Sequence, residues 1–270
     1  MTKFDAFFVS GDTHGQTLAR LKANESVLSN GTNAVLFLGD TGFQYNMNIG
    51  ERKGCQKFAK AHNLTLYILR GNHENRISNN PNAKSEFDEA IECFIWYEPD
   101  YPNIRYLNDE VDSCCLNGYE VLLIPGAYSV DKYWRLACGA SWFADEQLTP
   151  EEMEKGKWLA KTQYWDFIFS HTCPYSVQPK DLFLSAIDQS TVDNTMEHWL
   201  DTIKDETTFG VWCFGHYHTD RIEKPYFEQF YHNFEPIEDI AHRWQSYYQK
   251  GSKTLQNVTK PISPYFSSSY

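Results

Sequence analysis

The chain has 270 residues, of which 24 are Lys or Arg and 36 are Asp or Glu, so its formal net charge is −12. A hydrophobic content of 41% and an aromatic content of 16% exclude a disordered chain, and the length suffices for one large domain or two small ones. The acidic excess argues against a broad nucleic-acid-binding surface, because phosphate backbones require clustered Lys and Arg, but not against a pocket for one small phosphate.

The sequence also indicates the cellular compartment in which we expect the protein. Asp5 interrupts the first apolar run, and no cleavage-type stretch follows it, so we expect no signal peptide. No run of about 18 apolar residues predicts a membrane span. Seven scattered cysteines without a C-x-x-C pair indicate reduced core thiols. We therefore expect a cytoplasmic protein without a membrane partner.

The first quarter of the chain alternates short apolar runs with helical patterns. Strands are predicted at residues 4–10, 34–38 and 64–69, and helices at residues 16–29 and 51–62. Strands that alternate with helices in this order indicate a mainly parallel sheet with crossover helices.

The middle of the chain has a different pattern. Two predicted strands, residues 110–116 and 119–124, flank Asn117-Gly118, which is a strong signal for a tight hairpin turn. An antiparallel element therefore joins the parallel one, and we expect an α/β domain with more than one sheet.

The second half begins with a clear helix start. Thr149 is a good N-cap, Pro150 suits the first helical position, and Glu152 stands where a capping box needs it. Further short strands are predicted at residues 166–169, 209–214 and 226–231. We expect one domain over residues 1–250, followed by a tail, residues 251–270, that packs on or near the surface.

Polar residues follow five of the predicted strands at their carboxyl ends. The blocks are Gly11-Asp12-Thr13-His14-Gly15, Gly39-Asp40, Arg70-Gly71-Asn72-His73-Glu74, Ser170-His171 and Gly215-His216-Tyr217-His218. In open α/β sheets, ligands bind in the crevice outside the carboxyl ends of the strands. Each block carries a side chain that can bind a metal, so we expect these side chains to meet at one edge.

The ligand types indicate the metals. The candidates are Asp12, His14, Asp40, Asn72, His171, His216 and His218. Asp, His and Asn without Cys suit divalent ions such as Mn, Fe, Zn or Ni. Seven candidates exceed the needs of one tetrahedral ion and suit two ions, which one carboxylate must bridge, and Asp40 is the natural choice. Such a pair can clamp the attacking and leaving oxygens of a phosphoryl transfer and make hydroxide available near neutral pH.

Together and in this order, the blocks resemble the calcineurin-like metallophosphoesterase superfamily, whose motifs are D-x-H, G-D, G-N-H-E, a lone His and G-H-x-H. The resemblance spans Asp12 to His218. It implies a four-layer α/β/β/α sandwich of two mixed sheets flanked by helices, with the metal site at one edge of the sheets.

The resemblance also implies roles for individual residues. Asp12, His14 and His218 would bind the first metal, Asp40 would bridge, and Asn72, His171 and His216 would bind the second metal. His73 would lie near the substrate and protonate the leaving oxygen or stabilise developing charge. Glu74 would orient its neighbours.

One block departs from the protein Ser/Thr phosphatase branch of the superfamily, where it reads G-D-x-x-D-R-G. Here residues 39–45 read G-D-T-G-F-Q-Y, without the Asp that supports the catalytic His or the Arg that grips the phosphate. Other residues must then hold the phosphate, and the candidates are Arg76, Tyr128, Ser129, Lys132 and Arg135. The alternatives are a solvated loop Arg at residue 76 and, at residues 125–135, an ordinary turn that opens an amphipathic helix with exposed basic residues.

The predicted function is metal-dependent hydrolysis of a small phosphorylated substrate by a metal-bridging hydroxide. The leading substrate class is a phosphomonoester, because the R-G-N-H-E block is typical of the phosphatases of this superfamily. The leading metal is Mn, with Fe, Zn or Ni as alternatives. A phosphodiesterase or a nucleotide polyphosphate hydrolase is the alternative enzyme. A non-catalytic metal-binding interaction module is the alternative of another class.

Overall fold

The computed structural model describes residues 4–45 and 49–251. Its strands are β1 (Ala6–Ser10), β2 (Asn33–Phe37), β3 (Leu64–Ile68), β4 (Lys84–Asp88), β5 (Cys93–Tyr97), β6 (Ile104–Tyr106), β7 (Asp112–Leu116), β8 (Tyr119–Ile124), β9 (Trp165–Ser170), β10 (Phe209–Phe214), β11 (Arg221–Lys224), β12 (Phe227–Gln229) and β13 (Glu235–Pro236). Its α-helices are α1 (Thr17–Ala23), α2 (Glu25–Leu28), α3 (Ile49–Ala61), α4 (Lys132–Cys138), α5 (Pro150–Ala160), α6 (Thr195–Glu206) and α7 (Ile237–Gly251).

Two mixed sheets form the centre of the fold. The seven-stranded sheet has the order β13-β1-β2-β3-β6-β5-β4, in which β1, β2, β3 and β6 are parallel. The six-stranded sheet has the order β11-β12-β10-β9-β8-β7, in which β8, β9, β10 and β12 are parallel. Antiparallel strands lie at the edges of both sheets, so the parallel strands occupy the middle.

The sheets face each other, and helices cover their outer faces. Side chains alternate between the faces of a strand, so Phe7 and Val9 of β1 and Phe169 of β9 join one hydrophobic cluster between the sheets. Phe8 points to the opposite side, into a cluster with residues of α1 and α3, and Ile168 points into a cluster with residues of α5 and α6. These clusters produce the four-layer α/β/β/α order, so the predicted fold class is confirmed.

The turn and cap signals are also confirmed. Asn117 has a φ of 50° and Gly118 a φ of 94°, the left-handed pair that a two-residue hairpin of this type requires. Strands β7 and β8 pair antiparallel across this turn. The Thr149 side chain accepts a hydrogen bond from the backbone N–H of Glu152, whose carboxylate accepts one from the backbone N–H of Thr149.

Other elements differ from the prediction. The single helix expected at residues 16–29 is two helices, because Asn24, a poor helix former, interrupts it. The hairpin β4–β5 has no predicted counterpart, since four of the five residues of β4 are exposed and its sequence lacks an apolar face. Helix α4 buries none of its residues completely, but its basic residues Lys132 and Arg135 are half-buried, so the alternative of exposed basic residues is wrong.

Helix α7 ends the described part of the chain. One face of this helix packs into the hydrophobic cluster between the sheets and covers one end of the sandwich. The residues of this face are Ile237, Ile240, Ala241 and Trp244. The predicted tail begins at its last residue, and residues 252–270 lie outside the described residues. Every helix described is too short or too polar to cross a lipid bilayer.

No disulfide joins the seven cysteines, all of which lie in the described ranges. Five of them are buried, which agrees with the expected core thiols. Cys138 is exposed on α4 and Cys115 is half-buried on β7, so the core expectation is wrong for Cys138. Helix α4 packs no side chain into a core, which explains this exposure.

Candidate metal centre

The seven predicted ligands lie together where β1, β2, β3, β9 and β10 end. These are parallel strands of both sheets, so their carboxyl ends meet along one edge of the sandwich. Asp12 follows β1, Asp40 follows β2, Asn72 follows β3, His171 follows β9, and His216 and His218 follow β10. The structure thus brings residues from five loops into one cluster, while their role as ligands stays a prediction.

One group of candidate ligand atoms belongs to Asp12, His14 and His218. The Asp12 Oδ2 atom lies 3.7 Å from His14 Nε2 and 3.3 Å from His218 Nε2. Asp12 is 0% exposed, and its Oδ2 has no hydrogen-bond partner among the described residues. A buried carboxylate oxygen without a donor is costly, and it faces imidazole nitrogens 2.8 Å apart, an arrangement suited to a shared cation.

A second group consists of Asp12, Asp40 and His171. His171 Nε2 lies 3.5 Å from Asp40 Oδ2 and 2.9 Å from Asn72 Oδ1. His171 Nδ1 lies 2.6 Å from the carbonyl oxygen of Leu38, which can only accept, so Nδ1 carries a proton. In the neutral ring this leaves the Nε2 lone pair facing the site, as metal binding requires.

Asn72 and His216, the other predicted ligands of the second metal, lie beside His171 of this group. The Asn72 amide nitrogen donates to Ser129 Oγ at 2.9 Å, which turns its carbonyl oxygen toward His171. The His216 ring lies 5.0 Å from the His171 ring between centroids. The backbone N–H of His216 donates to Asp12 Oδ1 at 2.9 Å, so the β10 loop also fixes a carboxylate of the first group.

The residue common to the two groups of candidate ligands is Asp12. The sequence assigned the shared position to Asp40, whose Oδ1 accepts a hydrogen bond from the backbone N–H of His73 at 2.8 Å. Asp40 Oδ2 faces His171 and remains directed into the site. The bridging role of Asp40 stays a prediction, with Asp12 as the competing residue.

The electrostatics of the cluster match a site for cations. Burial lowers the pKa of His171, but the charges of Asp40 and Asp12 outweigh this effect and raise the pKa to about 9. Burial raises the pKa of Asp40, but His73 and His171 outweigh this and hold it well below its usual range. Burial and the charge of His171 lower the pKa of His216 to about 3. The carboxylates thus draw positive charge into a buried site, so the residues present fit divalent ions.

The backbone is strained at several candidate ligands. His14, Asp40, His216 and His218 have φ values of 46°, 50°, 70° and 55°, in the left-handed region that non-glycine residues rarely adopt. Each such residue costs on the order of 1 kcal/mol or more. Because four candidate ligands have this strained backbone, the surrounding structure must stabilise their conformations by more than the strain costs.

Glu74 forms hydrogen bonds with both the loop after β2 and the loop after β3. Its carboxylate accepts hydrogen bonds from the backbone N–H groups of Thr41 at 3.0 Å and of Gly71 at 3.1 Å, and also from the Thr41 hydroxyl. Burial and the charge of Asp40 raise the pKa of Glu74 to about 7. These contacts match the orienting role implied for Glu74, since they fix the loops that carry Asp40 and Asn72.

Gly71→Ala tests this close packing. A Cβ at residue 71 would overlap the Asp40 carboxylate and its backbone nitrogen. We expect the variant to lose at least about tenfold in metal affinity, because displaced ligand supports cost this much. Metal titration by calorimetry measures the loss. Gly139→Ala is the control, since nothing lies within 4 Å of a Cβ there, although its φ of 72° adds strain. An unchanged affinity in Gly71→Ala would contradict the packing argument.

His73 and Arg135 lie beside the cluster. His73 Nε2 is 3.8 Å from Asp40 Oδ2 and 3.3 Å from an Nη atom of Arg135. The Arg135 guanidinium also contacts Asp131 at 2.7 Å and the Tyr45 hydroxyl at 2.8 Å. The predicted catalytic histidine and one predicted phosphate ligand are therefore neighbours.

The other predicted substrate residues have different surroundings. Arg76 forms an ion pair with Glu152 at 2.5 Å, and its side chain is 11% exposed. Lys132 Nζ lies 4.3 Å from the centre of the Trp142 ring. Ser129 is bonded to Asn72 and Glu146, and Tyr128 lines the cavity beside the cluster.

This cavity has a volume of about 360 Å³. Asp40, Asn72, His73, His216 and His218 line one side of it. Other lining residues come from the segment between β9 and α6, including Phe183, and from α6 itself, including Glu197, and the sequence did not point to either. That segment has short 3₁₀ turns and no apolar period, so only the loop length signalled a function.

The α/β/β/α sandwich thus brings Asp and His side chains from the ends of its strands to one cavity, where they form a candidate metal site. The sequence model of the calcineurin-like phosphoesterase family matches residues 6–220, and the chain belongs to this family. The matched range includes every candidate ligand. No curated protein matches the chain. Family membership makes the protein a metal-dependent hydrolase of phosphoester bonds.

Proposed function

We propose that the protein is a phosphomonoesterase that uses two divalent ions, with Mn²⁺ as the first choice. The observation that carries the proposal is the pair of ligand groups around Asp12, which lies beside a cavity that His73 lines. Two ions held there would lower the pKa of water and neutralise the charge of the phosphoryl oxygens.

His73 is the proposed proton donor to the leaving oxygen. Its backbone N–H is bonded to Asp40, which holds the residue at the centre, while its ring lines the cavity. A general acid must lie within hydrogen-bond reach of the reacting atoms, and the place of His73 beside Asp40 in the cavity lining supports this role. The guanidinium of Arg135 beside the ring would stabilise negative charge on the phosphoryl group.

The cavity favours a monoester over a polyphosphate. Among the described residues that line it, none is Lys or Arg, whereas Asp131 and Glu197 are acidic. A second or third phosphate would enter a region without counter-charge. The charges of the cavity therefore favour a substrate with one phosphate at the metals and a neutral or cationic leaving group in the rest of the cavity.

Hydrolysis of mono- and bis-p-nitrophenyl phosphate with Mn²⁺ tests the proposal. We expect metal-dependent turnover with the monoester preferred. A preference for the diester would support the phosphodiesterase alternative. Confirmed metal binding without turnover of either ester would contradict the enzyme and support a metal-binding interaction module.

The two predicted phosphate-binding arginines give a further prediction. Arg135→Gln is expected to lower kcat/KM for p-nitrophenyl phosphate by about 10- to 100-fold, the range of a lost charge-assisted hydrogen bond. Arg76→Gln is the matched control, because Arg76 is bound to Glu152, whereas Arg135 contacts His73. We expect it to change kcat/KM less than about threefold while lowering stability. Steady-state kinetics decide the prediction, and equal losses in both variants would contradict it.

A further inference from the structure

The cavity beside the metal centre has a second wall that the proposed reaction does not use. It is mainly apolar, with Leu182, Phe183, Ile187 and Val192 from the segment between β9 and α6. The Phe183 and Tyr217 rings stack with centroids 6.4 Å apart, so this wall offers aromatic surface. Such a wall binds the organic part of a substrate rather than a phosphate.

Glu197 is the acidic residue of this wall, whose polar residues also include the amides Gln178, Gln189 and Asn194. It lies in the first turn of α6, is only 3% exposed and lines the cavity. One carboxylate oxygen, Oε1, accepts a hydrogen bond from the Thr172 hydroxyl at 3.0 Å. The other, Oε2, is buried without a hydrogen-bond partner among the described residues. A fold does not bury such an oxygen without cost, so its lack of a donor needs an explanation.

The charge around Glu197 indicates what its partner must be. Burial raises the pKa of Glu197 to about 7, as expected of a carboxyl group that no cation compensates. The described lining of the cavity includes no Lys or Arg that could serve as that cation. A carboxylate accepts hydrogen bonds and repels anions, so the missing partner is a donor, and an amine satisfies both the oxygen and the charge.

We propose that Glu197 binds an amine on the leaving group of the substrate, which is therefore the phosphomonoester of an apolar or aromatic alcohol that carries an amino group. This inference rests on the proposed phosphomonoesterase function. The metal centre would hold the phosphate, the apolar wall would hold the body of the leaving group, and Glu197 Oε2 would accept from the amine. Neighbouring aromatic rings add to the attraction of a cation.

A purely structural role is the competing explanation for Glu197. Its bond to Thr172 links α6 to the loop that carries His171, so a truncated side chain could disturb the metal centre. Glu197→Gln separates the two explanations, because the amide oxygen can still accept from Thr172 while the carboxylate charge is lost. Glu206→Gln, the same change on α6 outside the cavity lining, is the matched control.

The kinetic test compares 4-(aminomethyl)phenyl phosphate with 4-ethylphenyl phosphate, which has nearly the same shape, on the full chain with Mn²⁺. We expect the wild type to prefer the amine by about tenfold or more in kcat/KM, the effect of one charge-assisted hydrogen bond. Glu197→Gln should lose about tenfold on the amine and less than about twofold on the ethyl ester. Glu206→Gln should change neither. Equal rates for the two esters in the wild type, or equal losses on both in Glu197→Gln, would overturn the inference.

A binding test separates this inference from the proposed function. Calorimetry of the same Mn²⁺-loaded protein with 4-(aminomethyl)phenol and 4-ethylphenol should show tighter binding of the amine, lost in Glu197→Gln. Glu197-dependent binding without hydrolysis of either ester would overturn the phosphomonoesterase proposal and support the amine site. Equal binding of both phenols would overturn the amine site even if the esters are hydrolysed.

Discussion

Asp40→Asn is expected to lower kcat/KM for p-nitrophenyl phosphate by about 10³-fold or more, since electrostatic support of the transition state at such centres is worth this much. The Asp40 carboxylate is buried, and its Oδ2 faces His171 at 3.5 Å. An amide has nearly the same shape and can still accept the backbone N–H of His73, so the loop keeps its conformation. The charge is lost, and the atom that faces His171 becomes an NH2 group, which cannot bind a metal. Steady-state kinetics with elemental analysis of bound metal measure the effect.

Asp205→Asn is the control for this change, because Asp205 is an exposed residue of α6 that contacts Lys204. It should retain full activity and metal content. Asp12→Asn provides the decisive comparison, because Asp12 is the carboxylate common to both ligand groups. If Asp40→Asn keeps full activity while Asp12→Asn loses it, the bridging role belongs to Asp12 and the assignment from sequence is wrong.

The sequence predicted the part of this molecule that depends on local patterns. Apolar runs such as residues 6–10 predict strands buried on both faces, and Asn117-Gly118 predicts a hairpin without reference to the rest of the chain. The metal cluster followed from these elements, because parallel strands carry the residues after their carboxyl ends to one edge. Asp12 and His216, 204 residues apart, could therefore be placed together before any contact was known.

Other features depend on contacts between distant segments that carry no local pattern. Arg76 resembles a free phosphate ligand in sequence, but its ion pair with Glu152 joins segments 76 residues apart. The contact of Arg135 with His73 spans 62 residues. The cavity wall joins an irregular loop, which neither periodicity nor turn signals define, to Glu197 in the first turn of α6. Composition showed the acidic excess but not that it extends into the cavity.

His73→Gln is expected to show an effect that depends on the leaving group. A general acid contributes about 10²- to 10⁴-fold, and it matters most where the leaving oxygen is strongly basic. We therefore expect kcat to fall by about 10³-fold for an alkyl phosphate and by about tenfold or less for p-nitrophenyl phosphate, whose leaving group is stable as an anion. Metal content should not change, because the backbone N–H of His73, not its ring, is bonded to Asp40.

Three measurements on this variant distinguish the possible roles of His73. Equal falls in kcat for both esters would contradict the general acid and indicate that the ring stabilises charge on the phosphoryl group. Lost metal would indicate that the ring is a ligand, which its Nε2, 3.8 Å from Asp40 Oδ2, makes geometrically possible. His232→Gln, at an exposed position outside the cavity lining, is the control and should keep full activity. A dependence on the leaving group with the metal retained is the result expected if the ring acts on the departing oxygen as a proton donor, because neither metal binding nor stabilisation of charge on the phosphoryl oxygens should vary with the basicity of that oxygen in this way.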